Sequence, residues 1–88
     1  MAWSVEFSPG ARRQLKKLDG ATRRLIVSYL ETRIANTDDP KLHGHALTHD
    51  LAGLWRYRVG DWRIVCSLQA ARLVVLVLKV AHRREVYD

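Results

Sequence analysis

Cysteine occurs once, phenylalanine once, proline twice and glycine five times in 88 residues. A lone Cys66 cannot close an internal disulfide, which fits a reducing compartment. No Pro-, Gly- or Ser-rich tract separates parts of the chain and no internal repeat is visible, so one domain over residues 1–88 is expected. Long hydrophobic runs are missing too: LVVLVL, Leu73–Leu78, is far short of the ~20 residues a membrane helix needs. The start, MAWSVEF, shows no charged segment followed by an apolar one, so a cytoplasmic protein with no membrane partner is expected. Acidic residues are scarce. Nine Asp and Glu face fifteen Lys and Arg, a net charge of +6, which suits a polyanion or an acidic protein partner.

What is present is apolar patterning. Apolar residues make up 48% of the chain, which excludes wholesale disorder. Trp3, Val5 and Phe7 alternate as on a half-buried strand. Ser8 and Pro9 supply an N-cap and a first-turn proline for a helix to about Leu18, with Ala11, Leu15 and Leu18 inward and Arg12, Arg13, Lys16 and Lys17 outward. After LDGAT a second helix is predicted to about Asn36, with Leu25, Ile26, Tyr29, Leu30, Arg33 and Ile34 at helical spacing. TDDPKLHGHALTHD, Thr37 to Asp50, has turn residues and no period, and reads as a loop covering the sheet edge. Three strands then follow: LWRYRV, DWRIVCSL and RLVVLVLKVA, the last apolar enough on both faces to be central.

Charge is concentrated where these strands lie. Residues 1–50 carry eight basic and six acidic side chains, whereas residues 51–88 carry seven and three. Gly60-Asp61 between two alternating runs is the signature of a two-residue hairpin turn. That turn pairs Val59 with Trp62 and Arg58 with Arg63, on the face opposite Trp55, Tyr57 and Ile64. Two guanidinium groups ~5 Å apart at an effective dielectric near 20 repel by about 3 kcal/mol, less where water screens them. An anionic ligand relieves that repulsion; a solvated strand face with snorkelling arginines is the plainer alternative. Arg56 extends the same face, so the hairpin is expected to display three guanidinium groups. Counting by twos along the last strand puts Val74, Leu76, Leu78 and Val80 on one face. Val75, Val77, Lys79 and Ala81 fall on the other, continued by Arg83 if the chain stays extended. Lys79 and Arg83 then join the arginines in a face able to hold a phosphodiester and stabilise added negative charge.

The segments LWRYRVGDWRIV and LKVAHRREVYD, with FSPGARRQLKKLD as a first helix, closely resemble the RelE family of the RelE/ParE toxin superfamily, the toxin halves of type II toxin-antitoxin pairs. The resemblance covers nearly the whole chain. It implies an α+β fold of order βααβββ: a small twisted antiparallel sheet with an N-terminal strand and two helices packed on one face. It also implies a metal-independent endoribonuclease without cofactor, cutting messenger RNA in the ribosomal A site by attack of a ribose 2′-hydroxyl on the adjacent phosphate. By position, Arg56 and Arg58 match the family's two basic residues on the first hairpin strand, and Arg63 its arginine on the second. Arg83 matches the tail arginine near the leaving oxygen and Tyr87 the tyrosine proposed as general base, while His82 stands at an often basic position where some relatives use histidine as acid or base. The implied partners are the ribosome and its messenger, and a cognate antitoxin with an acidic, partly disordered segment, in a hetero-oligomer. Two departures stand out. The tail from Arg83 to Tyr87 is compact, with no further helix expected after it, and Ala81 stands where many members have glycine.

Other signals carry less. His43, His45 and His49 beside Asp50 form a loop pattern of low specificity for metal, and no metal site is assigned. Cys66 falls on the apolar face of its strand and reads as core. The cations Arg12, Arg13, Lys16 and Lys17 suit either a solvated face or ribosomal RNA phosphates. The competing functions are a ParE-like gyrase inhibitor, which shares the fold without the catalytic tail, and a non-catalytic RNA-binding module.

Overall fold

The computed structural model describes residues 3–85. The chain begins with strand β1, Ser4–Phe7, whose neighbours Trp3, Val5 and Phe7 all pack against the core as their alternation predicts. Helix α1, Pro9–Lys16, starts where Ser8 Oγ accepts the Ala11 N–H at 3.1 Å, with proline in its first turn. Helix α2, Gly20–Tyr29, is capped in the same way by Asp19, which accepts from Thr22 N–H at 3.4 Å. Hydrogen bonds from the Thr22 side chain, and then from its backbone N–H, hold the Asp19 carboxyl below its ordinary pKa.

The helical course expected to about Asn36 changes character on the way. After Tyr29 it widens into a π-helical stretch, Leu30–Ile34, closed by Ala35 N–H donating to Leu30 O at 2.9 Å. The Thr32 hydroxyl donates to Ser28 O at 2.7 Å, a side-chain bond that competes with the regular ladder at this turn. The buried stripe is Ile26, Leu30 and Ile34, each worth about 1.5–3 kcal/mol as a fully buried side chain. Leu25, read from spacing as one of the apolar set, is 55% exposed, because it lies outside that stripe.

The segment expected to be a loop contains more order. A 3₁₀ turn at Pro40–His43 leads into strand β2, His45–Ala46, and a second 3₁₀ turn follows at His49–Leu51. The buried Tyr57 hydroxyl donates to Pro40 O at 2.8 Å and pins this segment to the sheet. Strands β3, Trp55–Val59, β4, Trp62–Gln69, and β5, Val74–His82, complete a five-stranded sheet in the order β1-β5-β4-β3-β2. β1 runs parallel to β5 and the other pairs are antiparallel, so the sheet is mixed. β5 is internal, as its two apolar faces require.

One irregularity decides which way β5 points. Val65 pairs with Lys79 but Cys66 pairs with Val77, so Leu78 is an extra residue, a bulge in β5. Counting by twos therefore fails across it. Val75, Val77 and Val80 all belong to the core under the helices, whereas simple alternation separated Val80 from the other two. α1 satisfies the backbone where β1 has ended. Ser8 N–H donates to Val77 O at 2.9 Å, the Ser8 hydroxyl to Leu78 O at 3.3 Å, and Val80 N–H to Gln14 Oε1 at 2.7 Å. Both helices lie on one face, over Tyr57, Ile64, Cys66, Val75 and Val77. Among the described residues no helix is long and apolar enough to cross a membrane.

Candidate nucleic-acid interface

The hairpin turn is the one that Gly60-Asp61 predicts. Gly60 has φ +58°, a conformation glycine adopts without a Cβ penalty, and the register pairs Val59 with Trp62 and Arg58 with Arg63. Because Tyr57 and Ile64 are buried under the helices, Arg58 and Arg63 project from the other face. Two cross-strand rows carry the charge there: Arg58, Arg63 and Ala81 in one, and Arg56, Val65 and Lys79 in the next. Lys79 reaches this face because of the Leu78 bulge. Without the extra residue it would share a face with Val75 and Val77, both in the core.

The three arginines differ in setting. Arg58 is exposed and Arg63 half-buried, but Arg56 is only 4% exposed, so the expected display of three guanidinium groups is corrected to two, with the third buried in the next row. Burial first, and then the positive charges of Arg58 and Arg63, lower the pKa of Arg56 from its ordinary value. The three charges thus act on one another, and a bound anion would offset the repulsion. Arg63 is steadied by its own hairpin, donating to Gly60 O at 3.0 Å and Trp62 O at 3.1 Å.

The tail bends sooner than an extended continuation predicts. β5 ends at His82, and Arg83–Glu85 forms a 3₁₀ turn. Arg83 nonetheless reaches the hairpin. Its N–H donates to Asp61 O at 2.7 Å and its guanidinium lies 3.7 Å from the Asp61 carboxylate, an exposed pair that an incoming phosphate can compete for. His82 pairs with Trp62, and so falls on the helix side of the sheet, its ring edge-on to the indole at 5.5 Å. His82 Nδ1 accepts the Arg84 backbone N–H at 3.3 Å, and the His82 backbone N–H donates to Glu85 Oε1 at 3.0 Å, leaving Nε2 as the other ring nitrogen. Tyr87, the candidate base, lies outside the described residues.

The α1 cations Arg12, Arg13, Lys16 and Lys17 are all exposed, on a helix packed against the opposite side of the sheet from Arg58 and Arg63. They form a second basic surface and not part of the hairpin cluster. Cys66 is buried, and burial pushes its thiol pKa up, which suits a core residue and not a nucleophile. Among the described residues no group of three or more His, Cys, Asp or Glu side chains is placed to hold a metal ion. One residue escaped attention as part of the basic face: His45 on β2 stands opposite Arg56. A two-residue strand is too short to show alternation, so only the register reveals it.

Such a surface can clamp a phosphodiester between guanidinium groups fixed on two paired strands, and stabilise negative charge that develops on it. The chain is similar to toxins of toxin-antitoxin pairs. It is 29% identical to the toxin RelG of Mycobacterium tuberculosis over 87 residues, 99% of this chain and 98% of that protein. The toxin-antitoxin complex RelBE2 of the same organism contains a chain that superposes with a TM-score of 0.86 at 28% identity, covering 94% of this chain and all of that one. A doubly arginine-to-alanine mutant of the Escherichia coli toxin RelE, bound to a peptide of its antitoxin, shares the fold with a TM-score of 0.72 at 23% identity, covering 99% and 92%. Residues 5–87 match the family described as the ParE toxin of the type II toxin-antitoxin system parDE, and the chain belongs to that family, as a toxin of the RelE/ParE superfamily.

Proposed function

We propose that this toxin, acting as one domain over residues 1–88, is a metal-independent and cofactor-free endoribonuclease that cuts messenger RNA in the ribosomal A site and so arrests translation. The observation that carries the reading is the Arg58–Arg63 cross-strand pair, backed by Arg56 and flanked by Lys79, with Arg83 held at the same hairpin turn. Arg58 and Lys79 bind the RNA backbone, and the buried Arg56 adds its positive charge to that face. Arg63 stabilises the charge that builds on the scissile phosphate, and Arg83 lies near the leaving oxygen. Tyr87 takes the proton of the attacking 2′-hydroxyl, a role that requires positive charge nearby to favour its phenolate, whereas His82, on the helix side of the sheet, is left out of this step. The exposed α1 cations contact ribosomal RNA phosphates. The protein acts in the cytoplasm, and its antitoxin covers the basic face with an acidic, partly disordered segment in a hetero-oligomer.

The family description names parDE, and a ParE-like action on DNA gyrase is the reading that the test must separate. Induced expression is expected to arrest growth and to produce new RNA 5′ ends inside translated messages, with little cutting of naked RNA. Tyr87→Phe is expected to slow single-turnover cleavage by at least ~100-fold while ribosome binding stays near wild type. Intact messages together with trapped gyrase–DNA complexes would overturn the nuclease reading. Wild-type cleavage by Tyr87→Phe would move the base to another group.

A further inference from the structure

β2 is an unusually small strand, yet the chain is built to hold it against β3. A Cβ added at Gly44 would lie 2.5 Å from Arg56 O and 2.8 Å from the Trp55 indole, so only glycine allows this approach. Its φ of −146° is ordinary extended backbone, so the requirement is for space. On the other side of β2, Leu47 N–H donates to Leu54 O at 3.0 Å, and the Lys41 ammonium sits 5.7 Å from the centre of the Trp55 ring. These contacts fix the register that sets His45 opposite Arg56 and Ala46 opposite Trp55.

Directly opposed residues of an antiparallel pair point to the same side, so His45 joins the row of Arg56, Val65 and Lys79, on the face away from the helices. The neighbouring row holds Arg58 and Arg63, two residues along, or about 7 Å. That separation is of the order of one nucleotide's backbone. His45 is exposed, and among the described residues its ring makes no hydrogen bond or ion pair. The other histidines are placed differently: His82 lies on the Trp62 side, and His43 and His49 lie in 3₁₀ turns outside the sheet.

Resting on the reading of this face as an RNA site, we infer that His45 is a further RNA-binding residue. Its imidazole donates to the phosphate next to the one clamped by Arg58 and Arg63, and Gly44 is the positioning residue that lets it do so. A ring N–H can make this bond in either protonation state, and its rigid edge strand costs little ordering on binding.

A short RNA carrying 2′-O-methyl groups, which blocks attack by the 2′-oxygen, measures binding by the full chain apart from cleavage. On titration, the imidazole resonances of His45 should shift well beyond those of His43 and His49. His45→Ala should weaken binding about tenfold with unchanged thermal unfolding, and Gly44→Ala should weaken it in the same direction by moving β2 away from β3. An RNA-bound protein whose His45 resonances stay still would overturn the inference, as would absence of RNA binding. A response to an acidic peptide but not to RNA would overturn it as well, and would assign the row to a protein partner. Failure of the wild type to cut translated messages, with the His45 shifts intact, would sink the nuclease reading and leave this contact standing.

Discussion

The two faces of the sheet are made by the same strands and obey opposite rules. On the helix side, Tyr57, Ile64, Cys66, Val75 and Val77 are fully buried, and the Tyr57 hydroxyl among them has its acceptor in Pro40 O. That face is optimised for packing. On the other side Arg58 and Arg63 stand in direct cross-strand register, and their charges together with burial depress the pKa of Arg56. Like charges opposed in this way cost stability. The contrast is sharpest between Arg63 and Ile64, chain neighbours pointing in opposite directions, one set against a like charge and the other packed in the core.

Ile64→Ala should have the largest effect on folding, a loss of about 2–5 kcal/mol in urea unfolding, with RNA binding retained by whatever fraction stays folded. Weakened RNA binding by the folded fraction would show that the faces are not separable. Arg63→Ala should do the reverse, slowing cleavage sharply while stability changes by less than about 1 kcal/mol. The loss of its hydrogen bonds to Gly60 and Trp62 carbonyls is offset by relief from Arg58. Destabilisation comparable to that of Ile64→Ala would mean that the arginine holds the hairpin together.

The smallest effect is one of pH, and it belongs to the packed face. Burial raises the pKa values of Cys66 and Tyr57 above their ordinary 9.0 and 10.0. Both groups are neutral when protonated, so the stability they contribute is complete below about pH 9 and declines as pH rises from the unfolded-state values towards the folded ones. Thermal melts should therefore be flat from pH 7 to 9 and fall above it, and Cys66→Ala should lessen the first part of the fall. A melting temperature that stays constant to pH 11 would contradict the burial of these two groups.

Much of the fold was legible in particular residues. Ser8-Pro9 announces α1, Asp19 caps α2, and Gly60-Asp61 sets a turn whose two-residue length pairs Arg58 with Arg63. The candidate cations were legible for the same reason, since alternation fixes the side of a strand once its turn is known. Where alternation breaks, legibility stops. The Leu78 bulge inverts the faces of β5, and neither its apolar neighbours nor Leu78 itself signals an extra residue.

Local chemistry in the sequence by itself therefore determined caps, turn, the strands other than β2 and the basic character of one hairpin, because those depend on neighbours a few residues apart. Only the tertiary structure decided how Lys79 comes to face the arginines, that Arg56 is buried, that Arg83 reaches the turn at Asp61, and that His45 stands opposite Arg56. Each of these depends on contacts between residues distant in sequence: α1 side chains satisfying the bulge, Gly44 admitting β2 against β3, and β5 ending beside the hairpin. Long-range pairing has no local period, so its outcome is set by which backbone groups and which volumes meet when the sheet closes.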